Sequence, residues 1–163
     1  MTERKVEMTV YDIAQEIAEN HGFVTIPLRG KRPILKNWTQ LEAVEEEEWE
    51  GADSVGIRTG RISDVCVVDI DNMNVLAEIE HLPDTLTFNT TRGRHFYYRY
   101  DSRVPSFSPL DGIDILSDGK QAQWKGAPIN DAEIAPFPYE IFSRYTRSKA
   151  QGEPYEIPER IIS

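Results

Sequence analysis

Two carboxylates close an apolar run in VCVVDIDN, residues 65 to 72, where Asp69 and Asp71 stand one isoleucine apart. In a strand, alternate side chains share a face, so the two point the same way with Cα atoms roughly 7 Å apart. Their repulsion calls for a positive neighbour, and a metal ion, a lysine or water would each serve. Hard dications such as Mg²⁺ favour carboxylate oxygens, and two same-face acids at a strand end supply them without backbone rearrangement. Acids that close strands or cap helices show the same pattern, and Asp71 is placed to cap the segment after it.

Asp114 in DGIDILSDG is a third acid of this kind. Ile113 and Ile115 turn to one face, which turns Asp114 to the other. Three strand-borne carboxylates can hold two metal ions roughly 3.5–4 Å apart, the arrangement that activates an attacking oxygen and steadies a leaving phosphate. A solvent-facing acid on an edge strand would read identically. Asp111 and Asp118 read as turn residues. The remaining chemistry lies in TTRGRHFYYRY, residues 90 to 100. Gly93 permits close backbone approach, while Arg92, Arg94 and His95 supply donors suited to a polyphosphate. Alternation puts His95, Tyr97 and Arg99 on one face, expected to be polar, and Phe96, Tyr98 and Tyr100 on the other, expected to be core. Arg99 and Arg103 read as solvated.

The elements that must position these residues follow from periodicity and punctuation. Val10, Ile13, Ala14 and Ile17 fall at helical spacing, with Thr9 and Asp12 as a capping box and Gly22 as the stop. FVTIPL (23–28) reads as a strand left by the loop RGKRP, and a second helix is expected from Thr39 to Trp49. SVGIRTG (54–60) and DVCVVDID (64–71) read as strands, followed by a short helix from Asn74 to His81. TLTFNT (85–90), HFYYRY (95–100), GIDIL (112–116) and AQW (122–124) complete the strands, and the proline-rich stretch from Ala135 onward reads as extended. The sum is an α+β sheet domain.

At 163 residues the chain has room for one domain with its own core, taken as residues 1–163 with a core of about 10–140 and an extended tail or the start of a linker over 141–163. No apolar run approaches the roughly 18 residues of a membrane span, and MTERKVEMTVYD has no signal-peptide core, so a cytoplasmic location and no membrane partner are expected. The single cysteine, Cys66, excludes an internal disulfide and reads as a buried thiol. The net charge of −10 is the wrong sign for gripping a long stretch of nucleic acid through its phosphates. Charge is nonetheless uneven: residues 41–53 are rich in acids and hold no base, whereas 90–103 carry four arginines and one acid.

In order, these pieces resemble the archaeo-eukaryotic primase superfamily, in particular the primase-polymerase (prim-pol) domains found on plasmids, in phages and beside replicative helicases. GFVTIPLRGKRPILKNW is similar to the family's opening strand, Lys-Arg-Pro loop and Trp. SVGIRTGRISDVCVVDID matches a Gly-Ile-x-Thr-Gly turn running into an Asp-x-Asp strand. TTRGRHFYYRY falls at the Gly-x-His motif, and GIDILSDGKQ at the third acidic motif. The resemblance implies that Asp69, Asp71 and Asp114 ligate Mg²⁺ or Mn²⁺ and that His95 contacts the triphosphate of the incoming nucleotide. Lys31, Arg92, Gly93, Arg94 and Lys120 are then the further nucleotide contacts. It implies a small N-terminal αβ unit joined to a catalytic sheet resembling an RNA-recognition motif. The implied activity is DNA primase or DNA polymerase: nucleotidyl transfer onto a 3'-hydroxyl in replication, on a single-stranded or primed DNA template. A replicative helicase or a further C-terminal domain is an expected partner, and a prokaryotic or viral source is expected. Arg92 replaces a glycine common in the family, and Lys120 stands where a second glycine is common.

Two other readings fit parts of the pattern. An apolar strand ending in Asp-x-Asp also resembles the nucleophile motif of haloacid-dehalogenase-type phosphatases, though Asn72 and Met73 follow here instead of that family's Thr or Val. A nucleotide- or nucleic-acid-binding module of a replication complex, without turnover, would suit the acidic balance and Arg92.

Overall fold

The computed structural model of the chain describes residues 7–79 and 81–152, the side chains of 146–152 excepted. It is an α+β arrangement built on two sheets. Helix α1 spans Val10–His21 and has the expected ends. Thr9 Oγ1 accepts from the Asp12 N–H at 3.0 Å while Asp12 Oδ2 accepts from the Thr9 N–H at 3.1 Å, and Gly22 turns left-handed at φ 74°. Strands β1 (Thr25–Arg29), β2 (Arg32–Pro33) and β3 (Ser54–Arg58) follow, then β4 (Val65–Ile70), β5 (Thr87–Asn89) and β6 (Arg94–Arg99). β7 (Phe107–Leu110), β8 (Ile113–Leu116), β9 (Gln121–Gln123), β10 (Ala135–Pro136) and helix α2 (Tyr139–Gly152) complete the order.

One sheet runs β2-β1-β3-β9, and the other runs β10-β6-β4-β8-β7 with β5 also on β6. β4 is the centre of the second sheet, antiparallel to both β6 and β8. Its VCVV run is continuous because both of its faces are covered. Val65 and Val67 pack between the sheets with Ala14 and Ile17 of α1, Val55, Ile57, Phe88 and Tyr97. Cys66, Val68 and Ile70 pack on the far side with Tyr98, Ile113, Ile115 and Phe142 of α2. Burial pushes the Cys66 thiol above its ordinary value, consistent with an inert core sulfur.

Four expectations are corrected. The helix from Thr39 to Trp49 is replaced by two separate single 3-10 turns, Trp38–Gln40 and Glu46–Trp49. The reason lies in β3, where the buried Arg58 guanidinium donates to the carbonyls of Thr39 (2.8 Å) and Leu41, groups that a helix would need for itself. Arg58→Met should therefore cost about 3 kcal/mol, since it removes two bonds from a charged donor and strands two carbonyls. A urea titration monitored by Trp fluorescence would read this as a lower midpoint at constant slope.

The extended tail is also revised, because residues 139–152 form a helix whose Tyr139, Ile141, Phe142 and Tyr145 pack on the far core; 153–163 lie outside the described residues. Finally, the face of β6 that carries His95 is not polar. Tyr97 is buried against Phe23, Phe88 and Trp124, so both faces of this strand are core until Arg99. The expected helix from Asn74 to His81 is a 3-10 segment, Met73–Glu78, capped by Asn72.

Candidate functional site

The register of the central strands brings the singled-out residues into one row. Asp69 pairs with His95 on β6 and with Asp114 on β8. Directly opposed residues on antiparallel strands have Cα atoms about 4.5–5.5 Å apart and project to the same face. That face is the one turned toward the four-stranded sheet, since Ile70, Ile113 and Ile115 occupy the other. A cleft of about 150 Å³ opens there between the sheets.

Its floor is Asp69, Asp71 and His95, with Thr90, Thr91 and Arg92 along one side. His95 is buried and its Nε2 lies 3.4 Å from Asp69 Oδ1, while its Nδ1 has no hydrogen-bond partner among the described residues. Arg92 reaches Asp71 at 3.5 Å, an exposed ion pair worth little by itself. The Thr90–Gly93 turn that carries Arg92 is closed twice, by the Thr90 N–H on the Gly93 carbonyl and the Gly93 N–H on Thr90 Oγ1, each at 3.0 Å. Gly93 is needed for this turn to sit on the end of β4, because a Cβ there would lie 1.7 Å from the Ile70 carbonyl oxygen.

Asp114 shares the face of Asp69 but leans the other way. Its carboxylate accepts from Ser108 Oγ on β7 and borders an adjacent hollow with Lys120. Opposed like charges repel, so Asp69 turning to His95 and Asp114 to Ser108 is the expected outcome of placing two carboxylates face to face. Among the described residues, no three acidic, histidine or cysteine side chains are gathered as a ready metal cage. The donor set nonetheless fits a hard dication in kind and in register: carboxylate oxygens only, with Asp69 and Asp114 directly paired on adjacent strands. Arg94 alternates away from His95 to the opposite face, beside Leu76, His81 and Phe96.

The opposite wall belongs to the four-stranded sheet and carries Lys31, Gln121, Gln123 and Lys125. Of these only Lys31 was singled out from the sequence. Gln121 and Gln123 carried a usable signal, polar residues alternating about Ala122 on a short strand. Lys125 carried none, because only the pairing of β9 with β3 brings it to the cleft.

An α+β domain that faces carboxylates with cations across one cleft is suited to a phosphorylated ligand. Residues 14–158 match the model of the bifunctional DNA primase/polymerase N-terminal family, and the chain belongs to that family. No curated protein matches the chain closely enough to count as a relative. Among the described residues, no helix is long and apolar enough to cross a membrane.

Proposed function

We propose that the chain is a template-directed nucleotidyltransferase, a DNA primase or polymerase, with its six-stranded sheet as the RNA-recognition-motif-like catalytic sheet of the primase fold. The observation that carries this is the row His95–Asp69–Asp114 across three adjacent strands, with His95, Asp69 and Asp71 lining a cleft that also carries cations. Asp69, Asp71 and Asp114 would hold Mg²⁺ or Mn²⁺, which supplies the positive charge that acidifies the attacking 3'-hydroxyl and offsets charge on the leaving pyrophosphate. Asp69 is oriented for this by His95, whose buried ring fixes the carboxylate as an outer partner fixes a ligand. Arg92, on its braced turn, and Lys31 hold phosphate oxygens, with the reacting α-phosphate over the carboxylates. Primer extension on a primed template with Mn²⁺ tests the reading directly: nucleotide addition supports it.

A binding module without turnover is favoured by one observation, the Asp114 carboxylate held by Ser108 instead of turned to Asp69. Nucleotide binding without any incorporation would select it. Template binding is expected to be weak under either reading, because a net charge of −10 leaves few phosphate contacts. Fluorescence anisotropy at about 150 mM salt should give a Kd for single-stranded DNA in the micromolar range or weaker, as for non-specific binders. Nanomolar affinity would refute this expectation.

A further inference from the structure

Asp114 does not end the row that begins at His95. β7 flanks β8 on its outer side, with Phe107 opposite Ile115 and Leu110 opposite Ile113, so Ser108 and Pro109 share the single position opposite Asp114. Two residues facing one make a β-bulge. Pro109 fits it, because proline has no N–H to give a ladder and β7 is the last strand of its sheet, where that lack is tolerated. Ser108 continues the pairing of Phe107 with Ile115 and so projects to the face of Asp114. Across β6, β4, β8 and β7 the row therefore reads His95, Asp69, Asp114, Ser108.

Each inner carboxylate is thus met by a neighbour on its outer side, Asp69 by His95 Nε2 and Asp114 by Ser108 Oγ, which donates to Asp114 Oδ1. The two holds differ in strength. His95 is buried, whereas Ser108 and Asp114 are both exposed, and Ser108 is the one hydrogen-bond partner of Asp114 among the described residues. A hydrogen bond between exposed groups is exchanged for one to water at small net cost. Asp114 is therefore held away from Asp69 by a bond that is easily given up, in the direction that like charge also favours.

We propose that Ser108 is a positioning residue that parks Asp114 off the carboxylate row until a divalent cation draws it in. The proposal rests on the nucleotidyltransferase reading for the identity of the ion. It gives the row two states. Parked, the opposed acids are kept apart and the fold is spared their repulsion; engaged, Asp114 turns toward Asp69 and releases Ser108. Because the hydrogen bond exists only in the parked state, it raises the cation concentration at which the row assembles. Ser108 sets that threshold and takes no part in the chemistry.

Calorimetric titration of the full chain with MnCl₂, without nucleotide or DNA, reads the threshold. Ser108→Ala should bind Mn²⁺ about three- to tenfold more tightly than the wild type, the net worth of one exposed hydrogen bond. Ser108→Thr, which keeps the hydroxyl, should return the wild-type affinity. Ser108 is exposed on an edge strand, so neither substitution touches the core. Melting curves give the sign independently: Ser108→Ala should lower Tm slightly in metal-free buffer and leave it unchanged at saturating Mn²⁺, where the bond is already absent. In an Asp114→Ala background, Ser108→Ala should bring no gain in Mn²⁺ affinity. Equal affinity in the wild type and Ser108→Ala overturns the parking role, and weaker affinity replaces it with an outer support for the ligated carboxylate. A gain that persists without Asp114 overturns it as well. Mn²⁺ binding by the wild type alongside any of these three results leaves the nucleotidyltransferase reading standing, whereas no Mn²⁺ binding by the wild type and Ser108→Ala alike removes both.

Discussion

Asp69→Asn should abolish nucleotide incorporation while leaving the chain folded. Asparagine has nearly the shape of aspartate and keeps an oxygen that can accept from His95 Nε2, now 3.4 Å from the carboxylate. What it removes is one negative charge at the centre of the row, opposite Asp114 and two residues from Asp71. A dication at this row would lose a ligand worth several kcal/mol of transition-state stabilisation, which is about 10³-fold in rate or more. The fold should not suffer: relieving repulsion between directly opposed carboxylates is worth roughly 0.2–1 kcal/mol, so Tm should stay level or rise by a few degrees.

A second readout separates metal binding from turnover. Mn²⁺ at 100 times its Kd should stabilise the wild type by about 2.7 kcal/mol. That gain should vanish in Asp69→Asn. A variant that unfolds would mean the Asp69–Asp71 pair is structural, and a variant that still extends primers would remove the carboxylate row from the mechanism.

How far this site was legible in the sequence depends on how local its determinants are. Period-two alternation was enough to put Asp69 and Asp114 on the face opposite their buried neighbours Val68, Ile70, Ile113 and Ile115, and Asp71 on the face of Asp69. It was also enough for α1, whose two ends are written in Thr9, Asp12 and Gly22. It failed where a distant group decides. The 39–49 segment has helix-compatible residues, but Arg58 on β3 claims its carbonyls. Tyr97 is polar at one atom and reads as surface, yet helix α1 and the four-stranded sheet cover that face. Prolines 136 and 138 suggested an extended tail, although Pro138 immediately precedes the first turn of α2, where a missing N–H costs nothing. Asp114 leans to Ser108 because of β7, a strand with no clear signal of its own, and Lys125 enters the cleft only through the non-local β3–β9 pairing. The acids were therefore readable, as were Lys31 and Arg92, whereas Lys125 was not.

Gly93→Ala should damage both stability and activity, in contrast to Asp69→Asn. The glycine is not required by its backbone angles, for its φ lies outside the left-handed region that disfavours side chains. It is required by proximity: an added Cβ would meet the Ile70 carbonyl oxygen at 1.7 Å, the Ile70 carbonyl carbon at 2.7 Å and the Asp71 Cα at 3.3 Å. All three are backbone atoms of the segment that presents Asp69 and Asp71, so no rotamer change can relieve the overlap. Either β6 must separate from β4 at the pair Ile70–Arg94, or the Thr90–Gly93 turn must open and give up its two internal hydrogen bonds. Overpacking of this kind costs 1–3 kcal/mol when side chains can adjust, and backbone contact places it at about 3 kcal/mol or above. For a domain of this size that lowers Tm by about 6–12 °C. Activity should fall further than stability explains, because the displaced residues are the ends of the strand and turn that carry Asp71 and Arg92, and a 1 Å misplacement alone costs about 10²-fold. Melting curves and primer extension on the same preparation, assayed well below the lowered Tm, separate the two effects. A Gly93→Ala protein with wild-type Tm and wild-type incorporation would show that the turn does not rest on β4 as described.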